Sequence, residues 1–353
     1  MVFNWTASRI CMFSRTAEAW LLADRPRITA AVFVTLVALV ATACGGGGSA
    51  THFALKTKNS QPAGITTGPD GHLWFTEFTS GRIARINTAG KVDEFPLPTE
   101  RAGPFDIANG PDQNLWFTEF SANKIGRITP AGAITEFPLP NPKSGPYGIT
   151  TGPDGNIWFV LQKTDRIARM SRDGQDYKEF PIPYKGPQRP SPWGVAAGKD
   201  GNIWFSEEGL DKIGRINPAT GELTEFPVAA KSGPADITVG PDGNIWFTEH
   251  YAGKVGRITP DGVVSEFVVG GKKSSPKGIV AAGDGNLWFT DLGTNRIGRI
   301  TTSGDVKDFA VGSGYRQLQG IASGPDGNVW FTETHANTVS RHTLERSSAE
   351  GKK

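Results

Sequence analysis

Gly240-Pro241-Asp242-Gly243-Asn244-Ile245-Trp246-Phe247-Thr248-Glu249 is the stretch that decides the fold. It returns seven times along the chain, marked by Trp74, Trp116, Trp158, Trp204, Trp246, Trp288 and Trp330. Five of the steps between these tryptophans are 42 residues, and the step from Trp158 to Trp204 is 46. Internal repeats of roughly 20–50 residues build solenoids, propellers or arrays.

Working outward, each unit has four parts. Residues 148–151 form a short apolar strand, and Gly152-Pro153-Asp154-Gly155 a tight turn. There proline presets φ, while aspartate and glycine complete the reversal. Residues 156–159, Asn-Ile-Trp-Phe, make a second strand rich in β-formers. Residues 166–170 supply a third, and residues 178–182 a fourth that contains Pro181. Proline cannot donate to a ladder, so the fourth strand belongs at an edge. Four short antiparallel strands with the last at the rim describe a propeller blade. The expected fold is all-β, a seven-bladed β-propeller of four-stranded blades.

The two ends of the chain supply the closure. Blade seven, residues 320–344, has three strands and lacks its fourth. The missing piece sits at the other terminus, in His52-Phe53-Ala54-Leu55, where Phe53 precedes Trp74 by 21 residues, as Phe95 precedes Trp116. A strand over 52–56 thus completes blade seven and removes an open edge. The propeller spans 52–344, followed by a disordered tail over 345–353.

Ahead of it lies an export signal over 1–43. Arg25 and Arg27 precede residues 28–43, sixteen residues without charge that end in Ala41-Thr42-Ala43 before Cys44. That is the basic, apolar and small-residue order of a secretory signal, and shorter than the about 20 apolar residues of a membrane span. Cys44 in this place resembles the lipidated cysteine of a bacterial lipoprotein, although Ala41 stands where leucine is usual. Cleavage after Ala43 without lipidation is the alternative. Residues 44–51, with Gly45-Gly46-Gly47-Gly48-Ser49, form a flexible tether after the lipid-attachment cysteine. The start is Met1 or Met12. The protein is expected to be exported, a membrane-anchored lipoprotein on the periplasmic or cell-surface side.

With Cys11 and Cys44 the only cysteines, the propeller has no disulfide and no thiol nucleophile. The whole chain carries 37 Lys+Arg and 35 Asp+Glu. Removing residues 1–43, with Arg9, Arg15, Arg25, Arg27, Glu18 and Asp24, leaves a balanced domain. A nucleic-acid partner has no support, and membrane contact is expected only through the lipid anchor. A monomer is expected.

Positions repeated in every blade build the blade. The aspartate four residues before each tryptophan, Asp242 among them, is read as a turn cap, with calcium binding the sharper alternative. Carboxylates three residues past the tryptophan (Glu77, Glu119, Glu207, Glu249, Asp291 and Glu333) either ring the channel mouth around a cation or pair with blade Arg and Lys.

Function belongs where the blades differ. Just before each strand-one Gly or Asp stand Ala63, Phe105, Tyr147, Trp193, Ala235, Lys277 and Gln319, expected to rim the channel. Phe105, Tyr147 and Trp193 fall in consecutive blades and form an aromatic wall, or simply pack the channel. The extra residues of the long step lie in the proline-rich segment 184–192. Loops after strand two add Gln162, Glu208, His250-Tyr251 and His335. No histidine pair has metal-ligand spacing, and no nucleophile elbow or phosphate loop is present.

Lys-Ile-Gly-Arg-Ile-Thr-Pro and Glu-Phe-Pro-Leu-Pro, together with the opening stretch, resemble the virginiamycin B lyase (streptogramin lyase) family of NHL-like propellers over all seven blades. The resemblance implies a seven-bladed propeller and a magnesium-dependent elimination that opens a cyclic depsipeptide at its ester. In that chemistry a base removes a proton beside a carbonyl while the metal holds the developing charge. The family's catalytic histidine positions fall on Lys277 and Gln319 here. A family glutamate falls on Gln317, a first-blade tyrosine on Ala63, and the last glutamate on Thr334, beside Glu333. Lys277 can serve as a base only if burial strongly lowers its pKa.

Two readings follow. One is a binding propeller, holding a small molecule or protein on Phe105, Tyr147, Trp193, Gln319, Glu208 and His250, without the lyase site. The other is a Mg-dependent lyase opening a virginiamycin B-type depsipeptide or related cyclic ester, using Glu333, His335 or Lys277. No resident metal site is read from the residues.

Overall fold

The structure, a computed structural model, describes residues 50–344. Every regular element among them is a strand, arranged as seven four-stranded antiparallel sheets around a central channel. Blade one runs from the innermost strand Pro62–Thr67 through Leu73–Glu77 and Arg82–Ile86 to the outer Val92–Pro96. The others repeat that order.

The repeated stretch explains the blade. Gly243 adopts φ 81°, and its N–H donates to the Gly240 carbonyl at 3.0 Å, closing the turn. Asp242 Oδ1 accepts the Trp246 indole N–H at 3.0 Å and the Asn244 backbone N–H at 3.2 Å. A Cβ on Gly240 would stand 2.5 Å from that carboxylate and the indole, so a larger residue needs them to shift; in blade six, where Ala282 takes this place, the indole bonds the other oxygen, Asp284 Oδ2. Phe267 of the outer strand stacks on Trp246 at 5.6 Å, and the Arg257 guanidinium lies over both rings. Arg257 also donates to the Thr302 carbonyl of the next blade at 3.0 Å. The aspartate is therefore spent on its own turn and tryptophan, and the arginine ties neighbouring blades.

Blade seven is closed by the N-terminal strand, which is Ala50–Ala54, not 52–56. It pairs along the whole of Thr338–His342, from Ala50 opposite His342 to Ala54 opposite Thr338, which draws in two residues expected in the tether. Phe53 stacks on Trp330 at 5.3 Å as the outer phenylalanines do elsewhere. The signal segment, Cys44 and the 345–353 tail lie outside the described residues.

The innermost strands begin earlier than expected, at Pro146 in blade three. Each is interrupted by a register shift, here between Pro146 and Ile149. A bulge leaves a residue unpaired and re-aims its side chain. The residue so released is the rim position.

Candidate functional site: the channel mouth

The second strand holds each rim residue from behind. Thr76 donates its hydroxyl to the Phe105 carbonyl at 2.8 Å, Thr118 to Tyr147 at 2.7 Å, and Thr248 to Lys277 at 2.7 Å. Ser206, Thr290 and Thr332 do the same for Ala235, Gln319 and Ala63. Blade three has Val160 there, so the Trp193 carbonyl receives no such bond.

The rim side chains converge. Ala63, Phe105, Tyr147, Trp193, Lys277 and Gln319 line one channel cavity, with Ala235 fully buried beneath the rim. Phe105 and Tyr147 stack at 3.8 Å, and Tyr147 meets Trp193 edge-on at 4.8 Å. Aromatic pairs of this kind add about 0.5–1.5 kcal/mol beyond burial, and here they make a continuous wall over blades two to four. Burial, reinforced by the charges of Glu208, Asp106 and Asp236, holds the Tyr147 phenol well above its usual range, so it stays neutral.

Past Trp193 the wall turns polar. The Lys277 ammonium lies 4.1 Å from the centre of the Trp193 ring, a cation–π contact. Burial lowers the Lys277 pKa to about 8, against an opposing pull from Glu208. Glu208 Oε1 pairs with His250 Nε2 at 2.7 Å and accepts from the Tyr251 hydroxyl at 3.0 Å. Burial would raise the Glu208 carboxyl, but these partners outweigh it and hold it below the ordinary value. The His250 ring stands 5.9 Å from Trp193 and 3.8 Å from Tyr251. Glu208, His250, Trp193 and Lys277, drawn from blades four to six, thus form one cluster with Tyr251.

Two channel acids escaped the sequence reading. Asp106 and Asp236 line the same cavity at the position that is glycine in the other five blades. That substitution was the legible signal. Asp106 bridges two blades, accepting from the Ile107 and Ile149 N–H groups at 2.8 and 3.0 Å; Asp236 does so from Ile237 and Ile279, both at 2.9 Å. Burial raises Asp106 to about 7, helped by Asp236 and opposed by those N–H groups, and raises Asp236 to about 6.

The acids three residues past the tryptophans do not ring the mouth. Glu77, Glu119, Glu207, Glu249 and Glu333 are wholly buried away from the cavity, on the side facing the outer strands. Burial lifts Glu119 and Glu249 to about 8, with Glu136 and Glu266 of the outer strands adding repulsion. Glu333 differs because His52 of the closing strand takes the outer acid's place. Glu333 pairs with His52 at 3.0 Å and Arg316 at 2.5 Å and accepts from Thr338 at 2.7 Å. Burial works against ionisation there, yet these bonds keep the carboxyl below its usual range. His335 is exposed and packs near Tyr315 at 5.5 Å, outside the cavity.

The donor set does not fit a magnesium ion held by the chain. Magnesium keeps several waters in its octahedron and takes one or two free carboxylates from the protein. Among the described residues no group of three His, Cys, Asp or Glu is placed to hold a metal. In the cavity Asp106 and Asp236 are turned onto backbone N–H groups; Glu208, which does not line the cavity, is turned onto His250 and Tyr251.

Fold and site together define a seven-bladed propeller whose channel mouth joins an aromatic wall to a Lys–Glu–His–Tyr cluster. The profile of the Virginiamycin B lyase family matches residues 41–190 and 162–350, and the chain belongs to that family. A streptogramin B lyase structure is 36% identical, with a TM-score of 0.79 over 85% of this chain and 98% of that one. Virginiamycin B lyase from Staphylococcus aureus is 37% identical, with a TM-score of 0.78 over 84% of this chain and 99% of that one. A catalytically inactive variant of that enzyme, solved with quinupristin, matches equally at 37% identity and a TM-score of 0.78, over 84% of this chain and 99% of that one. Comparison with curated proteins gave no match.

Proposed function

We propose that this protein is an exported, lipid-anchored propeller of the family that binds a ligand at its channel mouth and does not carry the family's lyase site. One observation supports this above the others. Where the resemblance expects catalytic histidines, the mouth has an ammonium seated on Trp193 and the amide of Gln319. A protonated lysine has no lone pair to take a proton, and an amide is no base. Among the other acid–base candidates, Glu333 is committed to His52, Arg316 and Thr338.

Incubating the purified domain with a type B streptogramin and Mg²⁺ tests the reading. Chromatography with fragment-ion mass spectrometry is required, since elimination opens the ring without changing its mass. The expected result is an intact macrocycle, and ring opening would refute the reading. The second reading, a Mg-dependent lyase acting on a cyclic depsipeptide or related ester, is favoured by the lowered pKa of Lys277. It requires ring opening that rises with pH through about 8 and vanishes in Lys277→Gln. Export and anchoring rest on residues 1–44. In expressing bacteria, Cys44→Ser should abolish labelling by radioactive palmitate and move the protein from the detergent phase to the aqueous phase.

A further inference from the structure

Among the described residues, Lys277 is the cationic channel group whose hydrogen-bonding capacity the protein leaves unmet, as it also leaves the Tyr147 hydroxyl and the Gln319 amide. It is only 9% exposed, it lines the cavity, and its Nζ lies 4.1 Å from the centre of the Trp193 ring. Among the described residues no carboxylate lies within 4 Å of it, and no protein oxygen accepts its protons. Glu208, the acid whose charge it feels, is turned onto His250 and Tyr251. An ammonium carries three donors. The indole face answers its charge without supplying oxygen acceptors, so those donors are left to whatever fills the cavity.

Beside Lys277 runs the apolar wall of Phe105, Tyr147 and Trp193. The wall and Lys277 line one cavity that opens to solvent at the channel mouth. Phe105 and Tyr147 stack on each other and Trp193 carries Lys277 on its face, so the wall offers an apolar aromatic border beside one largely buried cation, which suits a small, singly charged aromatic anion. We propose that the mouth binds a small aromatic carboxylate, its ring against the Phe105–Tyr147–Trp193 wall and its carboxylate accepting from Lys277 Nζ. The proposal rests on the reading of the mouth as a binding site. A charge-assisted bond in this partly desolvated place is stronger than its surface counterpart. Asp106 and Asp236, lining the same cavity, add negative charge where ionised, which opposes every anion and a dianion most, so carboxylate binding should strengthen as pH falls from 7 toward 6.

Calorimetric titration at pH 7 with 2-naphthoate and its neutral amide, 2-naphthamide, tests the assignment. Wild type should bind naphthoate at least about tenfold more tightly than naphthamide, a difference of about 1.4 kcal/mol. Lys277→Gln should bring the two ligands level, and Lys277→Arg should keep the preference. Equal affinities in wild type, or a preference that survives Lys277→Gln, would overturn the proposal, as would no naphthoate binding at all. If both ligands bind equally and Phe105→Ala weakens both, the mouth remains a binding site and only the anion assignment falls. If neither binds and the streptogramin ring is opened, the binding reading falls with it.

Discussion

Glu119 and Glu333 stand at the same place in their blades, three residues past the tryptophan; burial raises both, and the partners each one finds decide whether it stays raised. Opposite Glu119 is Glu136, whose charge is already taken by Lys124 at 2.7 Å; neither oxygen of Glu119 has a hydrogen-bond partner. Opposite Glu333 is His52. A carboxyl raised to about 8 in the folded protein contributes stability that is complete below its unfolded pKa and lost as pH rises toward 8. A lowered one contributes stability above its unfolded pKa, lost as pH falls through the folded value. The same substitution should therefore act with opposite sign. Glu119→Gln should raise urea stability by roughly 2–4 kcal/mol at pH 9 and flatten its fall above pH 5. Glu333→Gln should lower it by about 1–3 kcal/mol at pH 7, because the buried carboxylate's charge-assisted bonds to the partly exposed Arg316 and His52 are lost. Equal signs in the two variants would refute this account.

At the scale of the element, the innermost strand and the hydroxyl behind it aim the mouth. The bulge frees the rim residue, and the second-strand hydroxyl pins its carbonyl to the blade before it. Thr248 holds Lys277 this way and also accepts the Asp236 N–H at 3.1 Å. Thr248→Val keeps the shape and deletes both bonds, so thermal and urea unfolding should show a loss of about 1–3 kcal/mol. Val160→Thr, in the blade that lacks the hydroxyl, should gain about 1 kcal/mol by giving the Trp193 carbonyl a donor. A neutral Thr248→Val would mean that the clamp contributes nothing. Blade three is also the blade followed by the long proline-rich segment. That segment is tied down separately, by Arg189 to Asp165 at 2.6 Å and the Ser191 N–H to the same carboxylate at 3.1 Å.

For the whole molecule, closure joins the first described strand to the last. Removing the Phe53 ring takes away the stack on Trp330 and the cover over Gly90, whose virtual Cβ lies 2.4 Å from that ring. Phe53→Ala should lower stability by about 2–3 kcal/mol in urea, less than for a fully buried phenylalanine because Phe53 is partly exposed. An unchanged midpoint would show that the ring holds without it. Blade number, strand order, turn chemistry and closure by the N-terminus are all local and periodic, so the sequence alone determined them: a proline, a glycine or a tryptophan announces its role by its spacing. So too were the rim positions, as places where the repeat varies. What only the tertiary structure decided is how residues far apart in the chain share space. The mouth cluster draws Glu208, His250 and Lys277 from three blades, and no local period encodes which of them pair. Likewise, nothing in the repeat says that Asp106 and Asp236 bridge blades through their neighbours' N–H groups, or that Glu333 faces a histidine brought by the other end of the chain. Charge and acidity here follow from burial and from the partner across a blade boundary, and those exist only once the ring is closed.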